Sequence, residues 1–162
     1  MKPEDIISSL ELLPLAVEGG YFREIYRSER NAATNPPRCL GTSIYYFLRG
    51  HENSAWHLVK SDEIWFYHAG CSAIQLLLFP DGSWEERRIG ADIEHRETPQ
   101  SVIPAGVWQA AVLSKRNADV WGLFGACVFP GFEYEDFVPG DAAQLSIQYP
   151  SAAVRMRELG LA

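Results

Sequence analysis

Residues 50–70, GHENSAWHLVKSDEIWFYHAG, decide the fold that the sequence predicts. Residues 56–60 and 63–68 are rich in aromatic and β-branched side chains, which is typical of strands. The polar residues between them predict a tight turn, so we expect two neighbouring strands. Because alternate side chains share a face of a sheet, His57 and Glu63 would then lie on one wall.

An imidazole and a carboxylate among aromatic side chains make this wall the best candidate in the sequence for chemistry. We expect His57 to act as a general base, because a neighbouring carboxylate such as Glu63 fixes its tautomer and stabilises its charged form. The general acid is expected to be a tyrosine, a neutral donor at pH 7, and Tyr67 shares the face of Glu63. Tyr45 and Tyr21 remain alternatives for that role. The opposing interpretation is a core histidine that only bonds a neighbour.

Other polar and aromatic side chains are candidates for binding a ligand. Arg23 either binds an anionic substrate group or forms an ion pair on an edge strand. Gln109 either bonds a ligand hydroxyl or carbonyl, or bonds His57 or Glu63. Trp65 offers a flat surface for a sugar or nucleobase ring, although an aromatic residue at strand spacing more often belongs to the core. The ligand-binding candidates are Gln109, Tyr21, Arg23, Tyr45 and Trp65. The remaining histidines are expected to lie outside the site: His51, His68 and His95.

The composition describes one acidic domain. The 162 residues carry 21 acidic and 14 basic side chains, for a formal net charge of −7. Nucleic acids and anionic membranes are therefore not expected as partners, since both need a positive surface. No apolar run approaches the roughly 18 residues of a membrane-spanning helix, and the N-terminus lacks the pattern of a signal peptide. Three widely spaced cysteines predict reduced thiols, so we expect a cytoplasmic protein.

Strand-like segments recur at short intervals through the middle of the chain, with turn signals between them, and predict an all-β antiparallel sandwich or barrel. They are residues 41–49, 56–60, 63–68, 72–79, 84–89, 100–103, 107–113 and 120–129. An earlier strand is expected over 21–26. Apolar residues at helical spacing predict an N-terminal helix over 3–13, and two short helices are expected over 141–148 and 151–159. Nothing marks a second domain, so residues 1–162 are expected to form one domain.

Two motifs in the sequence resemble those of the cupin superfamily. Residues 50–70 are similar to the first cupin motif, with His57 and Glu63 at two of its ligand positions, and residues 104–109 are similar to the second. The chain resembles more closely a small cupin family whose members are described as predicted sugar epimerases. That resemblance rests on four segments: VEGGYFR (17–23), KSDEIW (60–65), PAGVWQ (104–109) and PGFEYEDF (130–137). It covers about residues 5–150.

The resemblance implies a fold, an assembly and an activity. The fold is a jelly roll, the double-stranded β-helix, in which both motifs place polar side chains inside, and the assembly is a homodimer formed through the sheets. The activity is that of a metal-independent epimerase or isomerase, which abstracts a proton next to a carbonyl group of a sugar or nucleotide-sugar. The alternative is a non-catalytic cupin that binds a small sugar-like ligand.

The resemblance also raises the question of a metal. A typical cupin metal is held by three imidazoles and a carboxylate, but Val59 and Gln109 stand at two of the imidazole positions here. One imidazole and one carboxylate remain as strong ligands for a first-row metal. No cofactor is therefore firmly predicted. A weakly bound divalent metal on His57, Glu63 and Gln109 stays open, and with it a metal-dependent isomerase or dioxygenase.

Overall fold

The computed structural model describes all 162 residues, which form three α-helices and thirteen strands. The helices are α1 (Pro3–Ser9), α2 (Ala142–Gln148) and α3 (Ala153–Glu158). The strands are β1 (Leu13–Pro14), β2 (Tyr21–Arg27), β3 (Asn31–Ala32), β4 (Arg38–Cys39), β5 (Thr42–Arg49), β6 (Asn53–Leu58), β7 (Asp62–Gly70), β8 (Ala73–Leu78), β9 (Trp84–Ile89), β10 (Gln100–Ile103), β11 (Trp108–Leu113), β12 (Trp121–Phe129) and β13 (Val138–Pro139). The predicted all-β fold, with a helix before the strands and short helices after them, is confirmed. None of the helices is long and apolar enough to cross a membrane.

The strands form two antiparallel sheets that pack face to face as a jelly roll. One sheet has the order β1-β2-β5-β12-β7-β10 and the other has the order β13-β6-β11-β8-β9, while β3 and β4 pair only with each other. Neighbours such as β5 and β12 are far apart in sequence, because the chain passes repeatedly between the sheets. The inner faces of both sheets therefore enclose one interior.

The chain crosses between the sheets within the segment that decides the fold. β6 ends at Leu58 and pairs with β11 and β13, whereas β7 begins at Asp62 and pairs with β12 and β10. The prediction of neighbouring strands is therefore wrong. Alternation along each strand is the same whether a short polar link turns back in one sheet or crosses to the other. As a result, His57 and Glu63 lie on facing sheets instead of side by side.

Two apolar layers flank the five-stranded sheet. One layer fills the interior between the sheets and includes Tyr46, Trp65 and Phe124. The other lies between the outer face of this sheet and helices α2 and α3, and includes Leu76 and Met156. All six residues of β8 are buried, because its two faces contact different layers. The short helices depend on this packing for their stability, and they cover the strands that carry the site.

Helix α1 is shorter than the sequence predicts. It ends at Ser9, and Glu11 then takes a left-handed backbone conformation with φ of 52° before β1 begins. Ile6 and Leu12, on either side of that turn, pack against Phe47 on the outer face of the six-stranded sheet. The N-terminal segment therefore covers part of this sheet from outside and contributes nothing to the interior.

Candidate functional site

A cavity of about 140 Å³ lies in the interior between the two sheets. Its lining is mostly apolar and includes Val59 and Phe137. The ionisable side chains in the lining, tyrosine apart, are Glu18, Glu24, Arg27, His57, Glu63 and Glu133. An engineered apolar cavity of about 150 Å³ holds a benzene molecule, so this one has room for about one six-membered ring. The cavity is therefore a candidate site for a small molecule or for one ring of a larger one.

His57 enters the cavity from β6 and is only 3% exposed. Its Nδ1 lies 2.7 Å from the carbonyl oxygen of Ala55. Because a carbonyl only accepts hydrogen bonds, Nδ1 carries the proton, and Nε2 keeps its lone pair in the neutral imidazole. Nε2 lies 3.8 Å from Oε2 of Glu18, and the ring stacks on Phe137 with 5.1 Å between centroids. A backbone carbonyl thus fixes the tautomer that Glu63 was expected to fix.

Glu63 enters from β7 on the facing sheet, and 8% of the residue is exposed. Its Oε2 accepts a hydrogen bond of 2.5 Å from Nε2 of Gln109. Burial raises the pKa of the Glu63 carboxyl, a positive charge on His57 opposes that rise, and the Gln109 bond lowers the pKa by less. The indole N–H of Trp65 lowers the pKa of Glu63 slightly. It does so from beyond hydrogen-bond distance, because no acceptor lies within that distance of the N–H. The net effect favours a protonated carboxyl, which is a hydrogen-bond donor and an acid.

A chain of buried hydrogen bonds fixes the orientation of Gln109. Arg87 donates to Oγ of Ser101 at 3.2 Å, Ser101 donates to Oε1 of Gln75 at 2.7 Å, and Nε2 of Gln75 lies 3.5 Å from Oε1 of Gln109. Since a guanidinium only donates, it sets the direction of every bond after it. Gln109 therefore presents an N–H to Glu63 and does not line the cavity, so the structure does not place it against a ligand.

Tyr67, the predicted general acid, lies away from the cavity. Its hydroxyl donates to the carbonyl oxygen of Gly70 at 2.7 Å, and its ring packs on Phe124 in the interior layer. Tyr67 lies on the same face of β7 as Glu63, as the sequence predicts. It stands four residues further along the strand, which is roughly 13 Å, and Trp65 fills the space between the two side chains. Trp65 is itself buried in that layer and does not line the cavity, so its predicted stacking role is not supported.

Three other predicted ligand-binding residues point to the outside of the six-stranded sheet. Tyr45 packs edge-on against His68, and the ring of Tyr21 lies 5.0 Å beneath the guanidinium of Arg49. Arg23 forms an ion pair of 2.8 Å with Glu11 and donates to the carbonyl oxygen of Leu10 at 3.1 Å. Alternate side chains occupy opposite faces of a strand, so their neighbours Phe22, Glu24 and Ile44 line the cavity instead.

Glu18 is a site residue that the sequence reasoning missed. It borders the cavity beside His57, and its Oε1 accepts a hydrogen bond of 2.6 Å from Ser54. The chain reaches this position because Gly19 adopts φ of 98° and passes so close to β6 that a Cβ would lie 2.4 Å from the carbonyl oxygen of Asn53. The paired glycines after Glu18 were the signal that pointed to this close approach.

Arg27 lies at the mouth of the cavity with every N–H engaged inside the protein. Its Nε and Nη2 bind the two oxygens of Glu24 at 3.1 and 2.9 Å, and Nη1 binds Glu133 at 2.8 Å. The remaining donors bind the carbonyl oxygen of Phe132 at 3.0 Å and Sγ of Cys39 at 3.6 Å. A bulge after Glu24 in the pairing of β2 with β5 turns Arg27 inward, which strict alternation does not predict.

Comparison with known families identifies the fold. The family model described as Cupin superfamily (DUF985) matches residues 4–139. This chain belongs to the cupin superfamily. Protein SO0799 of Shewanella oneidensis has a solved structure with a TM-score of 0.86 and 34% identity, covering 98% of this cupin and 97% of that chain.

Two further relatives show the range of the likeness. The uncharacterized protein YML079W of Saccharomyces cerevisiae is 27% identical to this cupin over an alignment of 154 positions, which covers 86% of this chain and 77% of the yeast protein. Oxalate decarboxylase from Bacillus subtilis has a TM-score of 0.58 at 16% identity, over 90% of this cupin and 36% of that chain. A likeness at that level of identity concerns the fold alone.

The residues of this cupin do not fit the metal of the wider superfamily. No group of three or more His, Cys, Asp or Glu side chains is placed to hold a metal ion. Val59 supplies no ligand atom, and Gln109 turns its N–H toward Glu63 and its oxygen toward Gln75. The three groups of the open metal prediction, His57, Glu63 and Gln109, therefore do not form a ligand set.

Proposed function

We propose that this cupin is a metal-independent isomerase or epimerase that moves a proton next to the carbonyl group of a small sugar-like molecule. The observation that carries the proposal is the pairing of two groups across one cavity. Nε2 of His57 is the ring nitrogen that can accept a proton, because Nδ1 faces a carbonyl oxygen, and burial raises the pKa of the Glu63 carboxyl that can donate one. A proton acceptor and a proton donor that face one cavity are the arrangement that proton transfer requires.

The reaction begins when Nε2 of His57 takes a proton from the carbon next to the carbonyl group. Glu63 gives its proton to the carbonyl oxygen, so the product of this step is a neutral enediol. The imidazolium then returns its proton to the neighbouring carbon, which isomerises the substrate, or to the same carbon after the enediol has turned, which epimerises it. Glu63 recovers its proton from the oxygen that becomes the new carbonyl.

Two neighbours support these roles. Glu18 carries its carboxylate 3.8 Å from Nε2 of His57, where it stabilises the imidazolium that forms in the first step. The bond from Gln109 engages one oxygen of Glu63 and leaves the other to hold the proton. In this proposal Glu18 stabilises the charged form of His57, which is one part of the role predicted for Glu63, and Glu63 takes the role predicted for Tyr67.

The apolar lining equally favours the alternative of a cupin that binds a small molecule without turning it over. A mostly apolar cavity with a few polar groups is the usual form of a ligand site. Proton exchange separates the two functions, because only the enzyme breaks a C–H bond.

The test is deuterium incorporation from D₂O into hydroxyacetone and dihydroxyacetone, followed by NMR. We expect exchange at the carbon next to the carbonyl group, and a loss of at least about 100-fold in His57→Gln. Tyr67→Phe is the matched control and should exchange within about twofold of the wild type. Equal exchange in His57→Gln and wild type would refute the mechanism. A probe that raises the melting temperature without exchanging would favour the binding protein.

A homodimer formed through the sheets remains part of the proposal. Ile25 and Tyr26 of β2 are 48% and 59% exposed, and they lie beyond the two residues of β2 that pair with β1, where β2 itself forms the edge of the six-stranded sheet. Apolar side chains at such an edge suit a second copy of the chain. Light scattering coupled to size-exclusion chromatography measures the assembly, and a monomeric mass at micromolar concentration would refute it.

A further inference from the structure

The charges around the cavity bear on which substrates can enter it. Glu18, Glu24 and Glu133 line the cavity as carboxylates, and Arg27 is the one guanidinium among the lining residues. Even with His57 and Glu63 counted as neutral, three negative charges stand against one positive charge. Two of these carboxylates, Glu24 and Glu133, lie at the mouth, so an entering anion meets them first.

Arg27 cannot offset this repulsion by binding an anion itself. An arginine has five N–H donors, and those of Arg27 are engaged by Glu24, Glu133, Phe132 and Cys39. A phosphate or carboxylate would have to displace one of these acceptors, and three of the five bonds are charge-assisted bonds to the carboxylates of Glu24 and Glu133. In its present position Arg27 links residues 132–133 to β2 and has no pair of free N–H groups with which to bind a ligand.

The aromatic lining acts in the same direction. Phe22, Phe132, Tyr134 and Phe137 border the cavity, and the faces of aromatic rings carry partial negative charge. The faces of these rings attract cations, and the three phenylalanines give an anion no hydrogen-bond donor. Nε2 of His57 and the free oxygen of Glu63 are buried polar partners for a neutral substrate.

We infer that the cavity selects uncharged and cationic carbonyl compounds and excludes anionic ones. This rests on the proposed function, and it narrows the substrates that the resemblance implies, from sugars and nucleotide-sugars to sugar-like molecules without phosphate or carboxylate groups. The negative lining repels the diphosphate of a nucleotide-sugar, and Arg27 is already occupied. The selection is electrostatic at the mouth and is weakened by salt, since the side chains of Glu24 and Glu133 are 39% and 42% exposed.

The test compares three small ketones that differ mainly in charge: pyruvate, hydroxyacetone and acetonyltrimethylammonium. Dissociation constants are measured by ligand-observed NMR at low and high salt. We expect pyruvate to bind at least about tenfold more weakly than hydroxyacetone, and acetonyltrimethylammonium to bind at least as tightly as hydroxyacetone. Pyruvate binding equal to or tighter than hydroxyacetone binding would overturn the inference, and so would failure of all three probes to bind.

The double variant Glu24→Gln/Glu133→Gln tests the role of the mouth directly. It removes two negative charges and frees donors of Arg27, so pyruvate should bind at least about tenfold more tightly than to the wild type. Glu29→Gln/Glu135→Gln is the matched control, because both residues are exposed and neither lines the cavity. Urea unfolding of both variants shows that each is folded. An equal gain in the control would overturn the inference, since only net charge would then matter.

The failure of this inference is distinguishable from the failure of the proposed function. Binding in the expected order without deuterium incorporation into any probe would leave the charge selection standing and refute the enzyme. Deuterium incorporation together with preferred binding of pyruvate would support the enzyme and refute the charge selection.

Discussion

Replacing Glu63 by glutamine should make this cupin more stable at pH 8 and leave its stability unchanged near pH 4. Burial raises the pKa of Glu63, so the native state holds a proton that the unfolded state, with a pKa of about 4.3, has already lost. The wild type therefore loses stability as the pH rises from that value through the native pKa, and the loss is constant above it. The introduced glutamine resembles the protonated carboxyl in shape and keeps an oxygen to accept from Gln109.

The size of the effect follows from opposing contributions at one carboxylate. Removing an ion from water costs several kcal/mol, and Glu63 is only 8% exposed. The hydrogen bond from Gln109 stabilises the ionised form of Glu63 by on the order of 1.5–3 kcal/mol, and a positive charge on His57, when it is present, stabilises that form further. We expect E63Q to exceed the wild type by about 1–3 kcal/mol at pH 8, at about 1.4 kcal/mol for each unit of pKa elevation.

Urea unfolding from pH 4 to pH 9 measures the difference between E63Q and wild type. Other titrating groups cancel in that difference, which should rise with pH and then level off at the native pKa of Glu63. Glu94→Gln, at an exposed position, removes the same charge and should give a flat difference. An E63Q protein that is less stable than wild type at pH 8, or a difference that grows toward pH 4, would show that Glu63 is held ionised and is not the acid.

Two further substitutions test how the site is positioned. Gln75→Leu removes the central amide of the hydrogen-bond chain. The hydroxyl hydrogen of Ser101 loses its acceptor and Oε1 of Gln109 loses its donor, while Ser101 keeps its bond from Arg87 and Gln109 keeps its bond to Glu63. We expect a loss of about 1–3 kcal/mol for each unpaired group in urea unfolding and slower proton exchange, whereas Gln100→Leu, at an exposed position of β10, should change neither. Gly19→Ala places a Cβ 2.4 Å from a carbonyl oxygen at a strained φ, whereas the control Gly82→Ala is strained at a similar φ but meets only open space. Gly19→Ala should therefore lower the free energy of unfolding, measured by thermal unfolding, by at least about 1 kcal/mol more than Gly82→Ala. Equal losses would show that the close approach is not required.

The fold was predictable because its signals are local and repeated. Alternating strands, turn residues at short intervals and two motifs with fixed spacing are all visible in one sequence. The pairing of strands was not predictable from residues 56–68, because a short polar link suits a hairpin as well as a crossing between sheets. The side chains of His57 and Glu63 nevertheless line one cavity, because each points to the interior that both sheets share.

The site was half predictable. His57 and Glu63, which line the cavity, were identified from the motif. The choice of Tyr67 among the tyrosines failed, because the alternation of side chains gives the face of a strand and not the position along it. The inward position of Arg27 depends on a bulge, which adds one residue to β2 and shifts the alternation without a clear mark in the sequence. To predict that Glu18 borders the cavity, one has to know which strand the paired glycines after it approach. That approach is a property of the fold as a whole.

The departures of this cupin from the metal-binding pattern are consistent with the acid that we assign to Glu63. A divalent cation beside the carboxyl would stabilise its ionised form and lower its pKa, so the group could no longer give a proton to a carbonyl oxygen. Val59 and Gln109, at the imidazole positions, add no positive charge beside Glu63, and burial is the largest influence on its pKa. The same substitutions that remove two metal ligands therefore provide the environment in which a carboxyl serves as a general acid. Introducing histidine at both positions should lower the pKa of Glu63 whenever a metal binds, so deuterium exchange should fall when a divalent metal is added to the variant and be unaffected by the metal in the wild type.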